Sequence, residues 1–318
     1  MQSKETYLVS VYITTYYHEA YIAQAIESVL SQKMDFPYEI VISDDASQDR
    51  TQAIVREYAE KYDNIRYVFN ESNLGLTKNV FQAKTLCRGK YMVQLSGDDY
   101  WIDERKLQKQ VDFLEAHPEY FGVATRLECR TNDSQTADFL LPDLELCGKT
   151  YRLEDFLSGT NYPTNGFLYR NQIQEKYDFF SLMSRFSQYI DDETDCILYL
   201  MLGDVYIMPD ATVAYRRQIE SDTGHNFNSI NKGMDKLQKH IELLNSIHDY
   251  FGDKLDLFHR YKVALGPELF KHYRFRTHGQ FARIYRSIPD CYRKRHLLLR
   301  SLCYIPQKAA EVLRRGKK

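Results

Sequence analysis

The 318-residue chain is 43% apolar and 27% charged with a formal net charge of −2, a globular balance with enough apolar material for one large domain or two modest ones. No run approaches the length of apolar residues that a spanning helix needs, and "MQSKETYLVSVYITTYY" enters a strand pattern with no signal-peptide core or cleavage site. The six cysteines form no CxxC pair, so they read as reduced thiols of a cytoplasmic protein in which the sequons at Asn70 and Asn132 carry no glycan.

In chain order, "YLVSVYIT" (7–14) is apolar and β-branched, a strand. "YIAQAIESVLSQ" (21–32) places Ile22, Ala25, Ile26, Val29 and Leu30 on one helical face. "YEIVIS" (38–43) is a second strand, and "SQDRTQAIVREYAEKY" (47–62) a helix with Ser47 or Asp49 as N-cap. "IRYVFN" (65–70), "LTKNVFQAKTLC" (76–87), "YMVQL" (91–95) and "ERKLQKQVDFLEAH" (104–117) continue as strand, helix, strand, helix. Strands separated by helices of this length imply βαβ units and a parallel sheet. Past residue 130 the alternation weakens. A loop excursion is expected there, then a strand at 166–171, a buried helix at 193–202, and two short strands around Pro209-Asp210 within 205–216. Helices follow from about residue 230. From residue 259 onward sixteen Lys and Arg stand against three Asp and Glu, while the rest of the chain is acidic. A basic tail interleaved with Phe, Tyr and Leu suits an anionic membrane surface, or else packs on its own body as an oligomer contact.

Ligands of an open parallel sheet bind beyond the carboxyl ends of its strands, and polar residues gather there. Strand one ends in Thr14, Thr15 and Tyr16, with His18 and Glu19 next. Strand two ends in Asp44 and Asp45, strand three runs into "NESNLG", and strand four ends in Asp98 and Asp99. Two carboxylate pairs on one edge repel unless a cation or hydrogen-bond donors offset them. A hard, partly open oxygen site at Asp98-Asp99 suits Mg²⁺ or Mn²⁺ shared with phosphates. An N-cap pair for the next helix is the competing explanation.

"VSVYITTYYHEAYIAQAIESVLSQ", "EIVISDDASQDRT", "NLGLTKN", "GKYMVQLSGDDYW" and "RKLQKQVDFLEAHP" together resemble, in order and spacing over roughly residues 7 to 120, the family 2 glycosyltransferases. A weaker match runs through "IDDETDCILYLMLGDVYIMPDATVAYR". The resemblance implies an α/β GT-A fold, Rossmann-like with a mostly parallel central sheet and flanking helices, plus a C-terminal helical region. The domains would be a catalytic domain over 1–228, with a nucleotide-sugar half to about 125 and an acceptor half beyond it, and a basic helical region over 229–318. It further implies inverting, metal-dependent transfer of a sugar from a nucleotide diphosphate donor, a UDP-sugar, with Mn²⁺ or Mg²⁺ as cofactor.

By the same resemblance Thr15, Tyr16, Glu19, Asp44, Asp45, Lys78 and Asp98 line the nucleotide site. The usual Asp-x-Asp is spelled Ser96-Gly97-Asp98, so the metal falls to Asp98 and Asp99, with His225 after Tyr215-Arg216 as a further candidate. Trp101 would belong to the acceptor or sugar pocket, or to the packing. The general base of the family corresponds to Asp192, with Asp191 and Asp195 as alternatives. The acceptor would be a glycan, lipid-linked or part of the cell envelope, reached by an enzyme peripheral to the inner face of the membrane. A homo-oligomer is compatible with this; a nucleic-acid partner is not expected. "CGKT" (147–150) lacks the first glycine of a phosphate loop, and no GxGxxG follows strand one, which excludes a P-loop enzyme and a dinucleotide oxidoreductase. The rival of a different class is a non-catalytic scaffold of the same fold, docked by its basic tail.

Overall fold

The computed structural model describes residues 7–131, 134–159, 166–172, 186, 192–217, 233–275, 278–295, 297 and 300. They fall into two compact units: Met1–Leu153 with Asn161–Asp178 and Ile190–His225, and Glu154–Thr160 with Phe179–Tyr189 and Asn226–Lys318.

The first unit is built on one ten-stranded sheet. β1 (Val9–Thr15), β2 (Tyr38–Asp44), β3 (Ile65–Phe69) and β4 (Tyr91–Ser96) are mutually parallel in the order β3-β2-β1-β4. Every residue of β1 is buried, as expected of a central strand covered by helices on both faces. The connecting helices α1 (Ile22–Leu30), α2 (Thr51–Ala59), α3 (Leu76–Leu86) and α4 (Lys106–Ala116) occupy the expected segments. α1 buries Ile22, Ala25, Ile26 and Val29, the face that its spacing assigned.

Beyond β4 the sheet becomes mixed. β5 (Tyr100–Trp101), β6 (Tyr120–Thr131), β7 (Phe139–Leu141), β8 (Lys149–Tyr151), β9 (Leu168–Arg170) and β10 (Asp204–Arg217) continue it, with helix α5 (Leu153–Leu157) between β8 and β9. β9 pairs antiparallel with both β4 and β6, and so joins the halves. Two expectations are corrected here. The excursion past residue 130 carries the short strands β7 and β8 rather than loop alone, and 205–216 is one strand, not two. β10 runs parallel to β6 on both sides of Met208-Pro209-Asp210, and the register shifts between Ile207 and Ala211. At such a bulge proline forfeits no ladder hydrogen bond, so a turn-like spelling passes through a continuous strand. The apolar helix follows as α6 (Asp192–Leu202).

The second unit is helical: α7 (Gly233–Phe251), α8 (Phe258–Phe275), α9 (His278–Ser287) and α10 (Asp290–Arg293). Leu237, Ile241, Leu244, Leu257, Tyr261 and Ile288 are buried in it. The Tyr292 hydroxyl donates to the Leu255 carbonyl at 3.2 Å and accepts from the Leu257 amide at 3.3 Å, closing the α7–α8 connection. Among the described residues no helix is long and apolar enough to cross a membrane.

Candidate active site

The order β3-β2-β1-β4 reverses direction at β1: the chain moves outward through β2 and β3, then returns to the other side of β1 as β4. At such a switch point the loops leaving β1 and β4 part and open a crevice at their carboxyl ends. The strand ends are tied together there. The Gly97 amide donates to the Thr14 carbonyl at 2.9 Å, and the Asp45 amide to the Thr15 carbonyl at 3.0 Å.

Both carboxylates after β2 are engaged. Asp44, fully buried, accepts from the Ser47 amide (2.9 Å), the Ser47 hydroxyl (2.5 Å) and Gln52 Nε2 (2.7 Å). The Tyr17 amide donates to Ser47 Oγ at 2.8 Å, which couples this loop to the one after β1. Tyr17 and Ala46 both sit at positive φ, 56° and 66°, a conformation that non-glycine residues adopt where surrounding contacts hold it. Asp45 accepts from Asn70 Nδ2 (3.0 Å), the Leu74 amide (2.8 Å) and the Gly75 amide (2.9 Å). It thereby folds "NLG" into the entrance of α3, where Gly75 has a φ of 86° that favours glycine.

Around this frame, Tyr16 packs edge-on to Tyr17 with ring centroids 4.7 Å apart, and burial raises its phenol above the usual range. Exposed Glu19 accepts from the Arg50 amide at 2.8 Å, and Lys78 is exposed on the first turn of α3.

The pair after β4 divides. Asp99 is fully buried, and its Oδ1 accepts from the Arg216 amide of β10 at 2.8 Å. Burial first, and the neighbouring Asp98 second, push its carboxyl well above the usual carboxylate range. Arg216 donates to the Asp98 carbonyl and to Gln24 Oε1, its guanidinium 4.9 Å and 4.6 Å from the Tyr21 and Tyr100 ring centroids. Asp99 and Arg216 therefore tie the end of β4 to β10, with the Asp99 carboxylate buried in that contact. Asp98 is half-buried, and its carboxylate makes no hydrogen bond or ion pair among the described residues.

Gly97 is required by space. A Cβ there would lie 2.8 Å from His18 Nδ1 and 2.9 Å from Thr15 Oγ1, and both polar atoms are buried without a hydrogen-bond partner among the described residues. Trp101 is a packing residue rather than a pocket wall. It is 5% exposed within the hydrophobic core, with the Lys106 ammonium 4.8 Å from its ring centroid.

Of the candidate bases, Asp195 is buried in an ion pair with Lys84. Asp192 begins α6, but its side chain, like Asp191 and His225, lies outside the described residues. The sequence reading set His18 at the crevice edge without a role, and missed Gln24 and Lys84. Lys84 was detectable: it follows Val80 by four residues, on the buried face of α3. His18 and Gln24 carried no such signal, because their roles depend on chain brought from Gly97 and Arg216.

Residues 10–187, more than half of the chain, match glycosyl transferase family 2. An uncharacterized protein of Mycobacterium tuberculosis is 30% identical over 214 residues, which span 65% of this chain and 58% of the relative; the chain thus matches little more than half of that protein's length. Among solved structures, S. aureus TarS in complex with UDP-GlcNAc superposes with a TM-score of 0.61 at 19% identity, covering 90% of this chain and 82% of TarS. The mannosyltransferase PcManGT of Pyrobaculum calidifontis, in complex with GDP-Man and Mn²⁺, gives 0.53 at 17% identity, covering 94% and 86%. These likenesses establish the GT-A fold.

Proposed function

The chain belongs to glycosyl transferase family 2, and on that premise we propose that it transfers a sugar with inversion from a UDP-sugar to a hydroxyl of a glycan. The observation that carries this reading is the switch-point crevice in which Asp98, alone of the four strand-end aspartates, has a carboxylate not engaged by its own loops. Thr15, Tyr16, Glu19, Asp44, Asp45 and Lys78 would frame the nucleotide. TarS with UDP-GlcNAc and PcManGT with GDP-Man show that this fold accommodates such donors.

A single half-buried carboxylate suits Mn²⁺ or Mg²⁺, which retain waters and share phosphate oxygens; Asp98 would hold the ion. When bound, it would offset charge developing on the leaving diphosphate. Asp192 would take the proton of the acceptor hydroxyl as that oxygen bonds to the anomeric carbon, while the bond to the diphosphate breaks on the opposite face. The catalytic part would be 1–228 and the basic helical part 229–318. The latter would lie on anionic membrane, where a lipid-linked acceptor waits.

A screen of nucleotide sugars for release of UDP or GDP, with and without Mn²⁺, tests the activity. Metal-stimulated release that Asp98→Asn abolishes is expected; no release from any donor would favour the non-catalytic scaffold suggested by Ser96. Co-sedimentation of the full chain with anionic vesicles tests the tail. Binding at low salt that is lost at high salt is expected, and protein remaining in the supernatant at low salt excludes membrane docking.

A further inference from the structure

Lys84 of α3 and Asp195 of α6 form an ion pair whose side chains are only 3% and 5% exposed. The Tyr199 hydroxyl donates to the same Asp195 oxygen at 3.2 Å. Aromatic rings enclose the ammonium: Phe81, Tyr199 and Tyr12 have centroids 4.8, 5.6 and 5.9 Å away. The Tyr12 hydroxyl meets that of Tyr169 at 3.2 Å and reaches Gln94 Oε1 at 3.4 Å. One buried pair thus links α6 to α3, β1, β4 and β9. Of these, β1 and α3 carry the donor-side residues Thr15 and Lys78, and β4 leads into Asp98.

A buried ion pair is a poor device for stability, since desolvation of both charges offsets most of their attraction and an apolar pair of similar volume often does as well. Its best-attested use is to select one register among near-equivalent packings. α6 needs such a selection. Past Asp195 it reads "CILYLML", and Cys196, Ile197, Leu198, Tyr199 and Leu200 are all buried. A helix apolar all round can settle in more than one rotational setting, and each one-residue slip turns every side chain by roughly 100°. Asp195 is the buried carboxylate at the head of that stretch, beside buried Thr194, and Lys84 is the cation that receives it.

We propose that Lys84 and Asp195 are a positioning pair, which sets the register on the sheet of the helix that Asp192 begins. The proposal rests on the reading of Asp192 as the general base. Asp195 is not itself the base: at 3% exposure and paired with Lys84, its carboxylate meets no acceptor hydroxyl.

The test is the apolar exchange Lys84→Met/Asp195→Leu, which removes both charges together and leaves neither one buried alone. Its readouts are UDP affinity by calorimetry with Mn²⁺, UDP release from UDP-GlcNAc, and mass-spectrometric mapping of thiol labelling. Cys196, adjacent to Asp195 and 3% exposed, reports the register. Expected is a folded protein with unchanged UDP affinity, labelled Cys196, and a kcat lowered tenfold or more at unchanged donor KM. Lys84→Arg, which keeps the pair, should retain kcat and a protected Cys196. If the exchange leaves Cys196 protected, or labels it without lowering kcat, the positioning role is wrong. Asp192→Asn is measured alongside. Full UDP release from that variant would remove the base assignment, while Cys196 labelling would still decide the register.

Discussion

Asp44-Asp45 and Asp98-Asp99 look alike in the sequence, each closing an apolar strand of the same sheet, yet the fold treats them differently. After β2 the chain curls back at once, and Ser47 and Gln52 supply donors to Asp44 from within eight residues. The loop after β3 then brings the Leu74 and Gly75 amides to Asp45. After β4 the chain enters β5, which pairs with β10, and the Arg216 amide goes to Asp99. One pair is fully engaged as a loop organiser; the other leaves the Asp98 carboxylate without a hydrogen-bond partner among the described residues. What a carboxylate pair at a strand end does therefore depends on how many donors the neighbouring loops bring to it.

The largest effect expected from this contrast is on activity. Asp98→Asn should lower sugar transfer by roughly 10²-fold or more with an unchanged melting temperature, measured by UDP release and calorimetry. An equal loss from Asp44→Asn at unchanged stability would erase the distinction between the pairs.

The β4 side also holds a buried amine, which, unlike buried Glu39 on β2 with its Arg66 partner, has no carboxylate ion-paired to it among the described residues. Lys106 is fully buried, and burial lowers its ammonium to a pKa of about 7 from the usual 10.5. Between those values the unfolded chain holds the proton and the folded chain does not, so stability rises with pH across that window and is lost as pH falls toward 7. The unfolding free energy of wild type minus that of Lys106→Met should therefore become more positive by up to a few kcal/mol from pH 7 to pH 10. A flat difference would mean that the buried amine stays charged.

Asp45→Ala strands the Leu74 and Gly75 amides and should cost about 1–3 kcal/mol of stability, read by urea unfolding. A variant that loses donor binding at unchanged stability would make Asp45 a ligand contact rather than a loop organiser. The smallest effect belongs to Gly75→Ala. Nothing lies within 4 Å of a Cβ there, so only the positive φ opposes it, at about 1 kcal/mol; a neutral result would show that the loop adapts.

Much of the frame was legible because local periodicity set it. β1 to β4 and α1 to α4 fall in the segments that their apolar patterns marked, with ends shifted by a few residues. β10 was not, because Pro209 spells a turn and only the pairing with β6 reveals a bulge. The edge of the sheet identified the crevice, but it could not divide the labour among four aspartates. Which of them is left for a ligand depends on an amide 30 residues from Asp45 and another 117 residues from Asp99. Trp101 was ambiguous for the same reason. The sequence places it beside the site, and only the packing of Lys106 over its ring puts it in the core.

The contact of Thr15 and His18 with Gly97 limits how this site can evolve or be redesigned. His18 also accepts the Tyr21 and Ile22 amides at the start of α1, both at 2.9 Å, and its own amide donates to Thr51 Oγ1 at 3.0 Å. Any side chain at 97 would press on His18 and disturb both helix entrances with it. Position 96, by contrast, is half-buried at the strand's end and already carries a side chain. A redesign that adds a second strand-end carboxylate therefore falls to position 96, while position 97 is held at glycine by residues nearly eighty positions away.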